Sequence, residues 1–167
     1  MISHIFIIGM MGSGKSTIAP LLSKELKIPF TDTDKDLENI LNLDIKKIFD
    51  QLSEEKFREL ESAYFLEHIK KSSTIYATGG GIVMIKKNRH ILKSTGNTIY
   101  LNASIETLNN RLVNDQKKRP LFNNKNSLKV ILNERKRYYN DCADITINID
   151  EKSSKIILNE IIEKLNR

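Results

Sequence analysis

Ile5, Phe6, Ile7 and Ile8 form an unbroken apolar run, the pattern of a strand buried on both faces. Ile18, Leu21, Leu22 and Leu26 then recur at helical spacing. Ile28, Pro29, Phe30 and Thr31 predict a short second strand that ends at Asp32-Thr33-Asp34. Helices are expected over 34–41, 45–52 and 54–70, the last with Phe57, Leu60, Tyr64 and His68 along one face. Residues 74–77 predict a third strand, cut off by Gly79, Gly80 and Gly81. A fourth strand follows over 97–101 and a helix over 105–113. The polar stretch 114–126 has little apolar content beyond Leu121 and Phe122 and reads as an exposed loop before a helix over 127–139. Ile145, Ile147 and Ile149 alternate with Thr146 and Asn148, a half-buried fifth strand. Ile157, Leu158, Ile161, Ile162 and Leu165 give the closing helix its apolar stripe. Strands alternating with helices predict an α/β fold of three layers, a five-stranded parallel sheet with helices on both faces.

Between the first strand and the first helix lies Gly9-Met10-Met11-Gly12-Ser13-Gly14-Lys15-Ser16, which fits G-x-x-x-x-G-K-[ST] at every defined position. Strand, glycine loop and helix together are the setting of a phosphate-binding loop. Glycines let successive backbone N–H groups converge on one anion, and the following helix points its positive dipole end at it. Gly12, Ser13, Gly14, Lys15, Ser16 and Thr17 are therefore expected to hold the phosphates of ATP. Lys15, expected in a solvated loop, would reach the β- and γ-phosphates, and the Ser16 hydroxyl would ligate Mg²⁺.

Ligands of such folds sit at the carboxyl ends of the strands. The loop follows strand one, Asp32 and Asp34 follow strand two, and the three glycines follow strand three. With a helix starting near Asp34, the two carboxylates aim at different partners, one toward Mg²⁺ and one toward an acceptor hydroxyl. The alternative for Asp34 is a helix N-cap.

Composition narrows the class. A chain of 167 residues, 40% hydrophobic, can bury the core of one domain. No apolar stretch reaches membrane-spanning length, and no basic segment precedes a long apolar run at the start, so neither membrane nor leader is expected. The lone Cys142 suits a reducing cytoplasm and reads as a packing residue, since no nearby histidine supports its activation. The net charge of +6 raises the question of nucleic acid, but the cations fall in small scattered groups among 21 acidic residues. A nucleic-acid module would show a continuous basic stripe. Surplus cations also serve a site for ATP and an acidic second substrate. His4, His68 and His90 match no motif and read as structural or surface residues.

The chain resembles the shikimate kinases over nearly all its length. That family carries the phosphate loop, a D-x-D after strand two, an F-R-x-x-E helix, a G-G-G turn, a lid with R-P-L and a late R-x-P-L-Y segment. Here these stand as residues 9–16, Asp32 to Asp34, Phe57-Arg58-Glu59-Leu60-Glu61, Gly79 to Gly81, Arg119-Pro120-Leu121 and Arg135-Lys136-Arg137-Tyr138-Tyr139. The loop alone specifies only a large class; the ordered set is much more specific.

The resemblance implies one P-loop kinase domain over 1–167, with a substrate-binding helical segment at about 34–61 and a mobile lid at about 114–126. It implies transfer of phosphate from ATP to the 3-hydroxyl of shikimate by a cytoplasmic monomer, with Mg²⁺ and without nucleic-acid or membrane partners. By similarity Arg58 and Arg135 clamp the shikimate carboxylate, a task suited to the guanidinium fork. Glu61, one turn after Arg58, orients it. Asp34 binds the acceptor hydroxyl and assists its deprotonation, and Gly79, Gly80 and Gly81 let backbone approach the ring. Phe49 and Phe57 match pocket residues, although both equally suit a core. Arg111 resembles the arginine that packs on adenine, Arg119 the lid arginine over the transferring phosphate, and Asp32 the residue that holds Mg²⁺ through water.

Two readings remain beside these. Arg58 and Glu61 at i,i+3 would also make an ordinary surface ion pair, worth about 0.3–0.5 kcal/mol. Arg137 and Tyr138 stand where the family has proline and leucine, so Arg137 could compete for the carboxylate. A kinase for another polyol acid such as gluconate is the alternative enzyme, and a nucleic-acid-binding ATPase a third option. A guanine-nucleotide switch fits poorly, because Asn124-Lys125-Asn126-Ser127 lacks the aspartate of N-K-x-D.

Overall fold

The computed structural model describes residues 3–69, 72–113 and 125–166, without the side chains at positions 46, 49, 50, 125 and 126. Five strands, β1 (His4–Ile8), β2 (Phe30–Asp32), β3 (Ile75–Ala77), β4 (Gly96–Asn102) and β5 (Ile145–Asn148), form one sheet in the order β2-β3-β1-β4-β5. Every pairing is parallel, with Ile5 opposite Ile75 on one side of β1 and Asn97 on the other. All five residues of β1 are buried, as its unbroken apolar pattern requires of a central strand covered on both faces.

Among the described residues eight helices connect and cover these strands: α1 (Lys15–Leu26), α2 (Thr33–Leu41), α3 (Ile45–Gln51), α4 (Glu54–His68), α5 (Lys86–Ser94), α6 (Ile105–Val113), α7 (Lys125–Cys142) and α8 (Ser154–Leu165). A 3₁₀ turn, Ile82–Met84, follows the three glycines. The main core runs through the sheet and its covering helices; Cys142 is part of it. A second, small core of Leu37, Ile48, Phe57 and Tyr64 holds α2, α3 and α4 together beside the sheet. Among the described residues no helix is long and apolar enough to cross a membrane.

Three expectations need correction. The α1 stripe is Ile18, Ala19 and Leu22, and Leu21 faces solvent. The buried face of α4 is Phe57, Arg58, Glu61, Ser62, Tyr64 and Phe65 rather than a line through Leu60 and His68, because charged groups are taken inside there. Helix α5 lies in a region where the pattern predicts no element. Its buried positions are Asn88 and Leu92, so a polar residue sits where an apolar stripe would signal a helix.

Candidate active site

The phosphate loop runs from the end of β1 into α1. Gly14 caps α1 with φ 93°, a left-handed conformation that a side chain would strain. From it the loop closes on itself, with Ser13 N donating to Met10 O and the Thr17 and Ile18 amides to Gly14 O. The loop floors a cavity of about 380 Å³, walled by Arg111 and Leu112 of α6 and by Ser154 and Ile157 of α8. Ser16 and Thr17 are exposed in it. The Arg111 guanidinium lies 3.4–3.5 Å from the carbonyl oxygens of Ser13 and Gly12.

Lys15 corrects one expectation. It is 8% exposed rather than solvated, and its ammonium donates to the carbonyls of Gly9 at 2.9 Å and Met10 at 2.8 Å. Ser13 buries its hydroxyl without a hydrogen-bond partner among the described residues. Beside Arg111, the Asp150 carboxylate accepts from the Ser104 amide at the start of α6. Burial pushes its pKa up, but the Ser104 bond, the neighbouring hydroxyls and the Arg111 charge outweigh that and hold it low.

On the other side of the sheet centre, β2 ends at Asp32. Asp32, not Asp34, is the N-cap of α2, its Oδ1 accepting from the Lys35 amide at 3.3 Å. Asp34 therefore stands inside the first helical turn, and the capping alternative for it falls away. Thr33 ties this end of β2 to the glycine turn, accepting from Gly79 N at 3.1 Å and donating to Ala77 O.

The glycine turn is where the segments meet. A Cβ built at Gly79 would lie 2.1 Å from Glu61 Oε1 and 2.6 Å from Asp34 Oδ1, and one at Gly81 would lie 2.1 Å from the Arg58 guanidinium carbon. Both positions exclude any side chain while these groups hold their places. A Cβ at Gly80 would sit 3.4 Å from Gly9 O and 3.6 Å from Arg135 Nη1. Arg58 Nη1 donates to Glu61 Oε2 at 2.8 Å, with Arg58 8% and Glu61 2% exposed. The surface-pair reading fails, since removing one partner of such a buried pair strands the other charge. Burial would depress the Arg58 pKa, but Glu61 and Glu54 outweigh it and raise it. Arg135 is 4% exposed and reaches the same place from α7. Phe57 packs in the small core, with the Arg58 guanidinium 5.1 Å from its ring centre. The Phe49 side chain, Arg119 and lid positions 114–124 lie outside the described residues.

The sequence alone gave no role to three groups. Glu54 Oε1 stands 3.4 Å from Arg58 Nη2 and 3.8 Å from Arg135 Nη2. Tyr139, buried one turn after Arg135, donates its hydroxyl to Gly80 O and stacks on Tyr100 at 5.0 Å; burial raises its pKa. The i,i+4 spacing from Arg135 to Tyr139 was the available signal. Asn88 and Arg89 grip the 3₁₀ turn: Asn88 donates to Ile82 O at 3.2 Å, and Arg89 to Val83 O at 2.7 Å and Met84 O at 3.0 Å. Asn88 in turn accepts from Ser62 of α4 at 2.8 Å, and Arg89 lies over the Tyr138 ring of α7 at 4.3 Å. Arg137 is exposed, its guanidinium over that same ring at 4.4 Å and donating to the Tyr138 hydroxyl. It is held away from the clamp rather than competing within it.

The arrangement couples an anion cradle to a pair of buried arginines across one turn, with carboxylates beside it. Comparison with known proteins agrees. The shikimate kinase family profile matches residues 11–166. Shikimate kinase of Wigglesworthia glossinidia brevipalpis is 40% identical over 166 residues, 97% of this chain and 95% of the relative. That of Pseudomonas syringae pv. syringae is 39% identical over 165 residues, again 97% and 95%. The shikimate kinase of Acinetobacter baumannii, solved in complex with shikimate, superposes with a TM-score of 0.92 at 28% identity, covering 99% of this chain and 94% of that one. That of Aquifex aeolicus gives 0.83 at 34% identity, covering 98% and 96%. A gluconokinase from Sinorhizobium meliloti, with a TM-score of 0.67 at 15% identity over 99% and 92% of the two chains, shares the fold alone. The chain belongs to the shikimate kinase family.

Proposed function

We propose that the protein transfers the γ-phosphoryl group of ATP to the 3-hydroxyl of shikimate, releasing ADP and shikimate 3-phosphate on the route to chorismate and the aromatic amino acids. It acts as a cytoplasmic monomer on these two small substrates, with no nucleic-acid or membrane partner. The observation that carries this reading is the place of Gly80, where an added Cβ would lie 3.4 Å from Gly9 O of the phosphate loop on one side and 3.6 Å from Arg135 Nη1 on the other. An acceptor whose carboxylate is gripped by Arg58 and Arg135 then presents its ring along the glycine turn toward the cradle.

Phosphoryl transfer passes through a loose transition state, so the protein's work is positioning and charge neutralisation. Lys15 exchanges its loop carbonyls for phosphate oxygens, and the loop amides hold the β- and γ-phosphates. Arg111 covers the cradle and borders the base. Asp34 accepts a hydrogen bond from the attacking hydroxyl and takes its proton as transfer proceeds. Glu61 holds Arg58 in register for a bidentate grip on the substrate carboxylate.

Among the described residues no group of three or more histidine, cysteine or carboxylate side chains is gathered for a metal. This suits Mg²⁺, which keeps several waters and is bound through one or two protein oxygens and substrate phosphates. The exposed Ser16 hydroxyl at the head of α1 and the Asp32 carboxylate at the end of β2 would hold it. The ion supplies neutralisation of charge on the phosphates.

The test is ADP release with ATP, Mg²⁺ and a panel of acceptors. Turnover is expected with shikimate, and turnover on gluconate with none on shikimate overturns the proposal.

A further inference from the structure

Glu54 opens α4, and Ser53 caps that helix by accepting from the Lys56 amide. One of its carboxylate oxygens bridges two guanidiniums, standing 3.4 Å from Arg58 Nη2 and 3.8 Å from Arg135 Nη2. Its chemistry is that of the group which the proposed function, on which this inference rests, assigns to the same two arginines. We infer that Glu54 is an internal stand-in for the substrate carboxylate: it holds Arg58 and Arg135 together in the free enzyme and must leave them when substrate binds.

The two glutamates of α4 are built for different tasks. Glu61 has 3% of its side chain exposed and pairs with Arg58 at 2.8 Å, whereas Glu54 has 53% exposed and longer contacts. A glutamate in the first helical turn, half in water, rotates away without leaving a buried charge behind. Glu61 cannot. The positive end of the α4 dipole keeps Glu54 favourably placed after it has swung out. The arrangement sets affinity by competition: each substrate carboxylate displaces a weaker, tethered one at a fixed cost. It also discriminates, because an acceptor without a carboxylate gains nothing to offset the displaced contact.

The inference predicts an improvement on removing a charged group, which a merely structural role would not give. Glu54→Gln keeps the shape and removes the charge. Its KM for shikimate should fall about three- to tenfold, with kcat and the KM for ATP within twofold of wild type. Shikimate methyl ester, which lacks the anion, should show no such gain. The free Glu54→Gln protein should melt at a lower temperature and recover the difference on saturation with shikimate. An unchanged or raised KM for shikimate overturns the inference, as does an equal gain for acid and ester. Should the amide variant fail to fold, Glu54→Ala with the same pair of acceptors decides it. Wild-type enzyme that does not turn over shikimate would sink the proposed function itself; wild-type turnover with no gain in the variants would sink only the role of Glu54.

Discussion

The proposed nucleotide half and the proposed acceptor half of the site are built from different materials. The cradle is backbone, supplied by one continuous segment between β1 and α1 and braced by the main core. The proposed acceptor side is mostly side chains, drawn from α2, α4 and α7 around the bare backbone of the glycine turn, and it rests on the small core around Leu37 and Phe57. Backbone donors depend on chain conformation, so a few glycines and one lysine specify them within eight residues. A charged clamp depends on groups brought from distant segments, each buried and each needing a counter-charge. Changes in the first half should therefore cost turnover above all. Changes in the second should cost affinity and stability together.

The strongest test of the first claim is Lys15→Met. Loss of a preorganised cation at the developing charge should lower kcat by about a thousandfold or more. The ammonium is buried on two loop carbonyls, so leaving these unsatisfied should also cost about 1–3 kcal/mol of stability. A coupled ADP assay beside a thermal melt reads both. Near-wild-type turnover would remove the loop from the mechanism.

Arg58→Met tests the second claim. It strands the Glu61 carboxylate in a site 2% exposed, and breaking a buried pair in this way costs about 3–5 kcal/mol. Arg58→Lys keeps the charge and loses the fork, so it should unfold closer to wild type while raising the KM for shikimate by roughly tenfold. Urea titrations and steady-state kinetics separate the two. If Arg58→Met unfolds like wild type, the two halves do not differ as described.

This difference also explains what could be read in the chain. The place of the site was visible because β1, β2 and β3 each end on a chemically loaded stretch: the phosphate loop, Asp32 to Asp34, and the three glycines. The cradle was visible because its residues are adjacent. The clamp came only through resemblance: Arg58 and Glu61 at i,i+3 look the same on a surface as in a core. One physical signal did exist. On α7 the buried positions Leu128, Leu132, Arg135, Tyr139 and Cys142 follow helical spacing, so an arginine sits within an apolar stripe. Nothing comparable marks Glu54, whose role needs the place of α7, or Asn88, whose burial hides α5. Asp32 rather than Asp34 caps α2 because the helix starts at Thr33, one residue earlier than the pattern suggests.

A smaller effect is expected where α5 joins the two clamp-bearing helices. Ser62→Ala removes the bond from α4 to Asn88, and Tyr138→Leu removes the aromatic face beneath Arg89. Each should raise the KM for shikimate by about three- to fivefold, within the worth of one hydrogen bond or one exposed cation–π contact. The KM for ATP should stay unchanged, and Tyr138→Phe should restore the first value. A matching rise in the KM for ATP would mean that the glycine turn transmits strain across both halves.

The smallest effect should appear at His4, which belongs to neither half. It starts β1, at the sheet end opposite the site, and packs at 5.5 Å against the Tyr76 ring and 5.8 Å from Phe6. Its Nδ1 is buried without a partner among the described residues, and burial lowers its pKa from the ordinary value of 6.5. The sign follows from proton counting. Below about pH 6.5 the unfolded chain takes up a proton that the folded chain resists, so stability falls with pH from there toward the folded pKa. Above 6.5 the effect vanishes. His4→Phe should flatten that acid loss by at most about 1.4 kcal/mol per pH unit, read as the difference between wild-type and variant urea midpoints from pH 7 to 5. Because β1 supports the cradle and the glycine turn alike, both KM values should keep their ratio through the change. A selective rise in the KM for shikimate on acidification, abolished in His4→Phe, would show that the acceptor half leans on the sheet more heavily than the nucleotide half does.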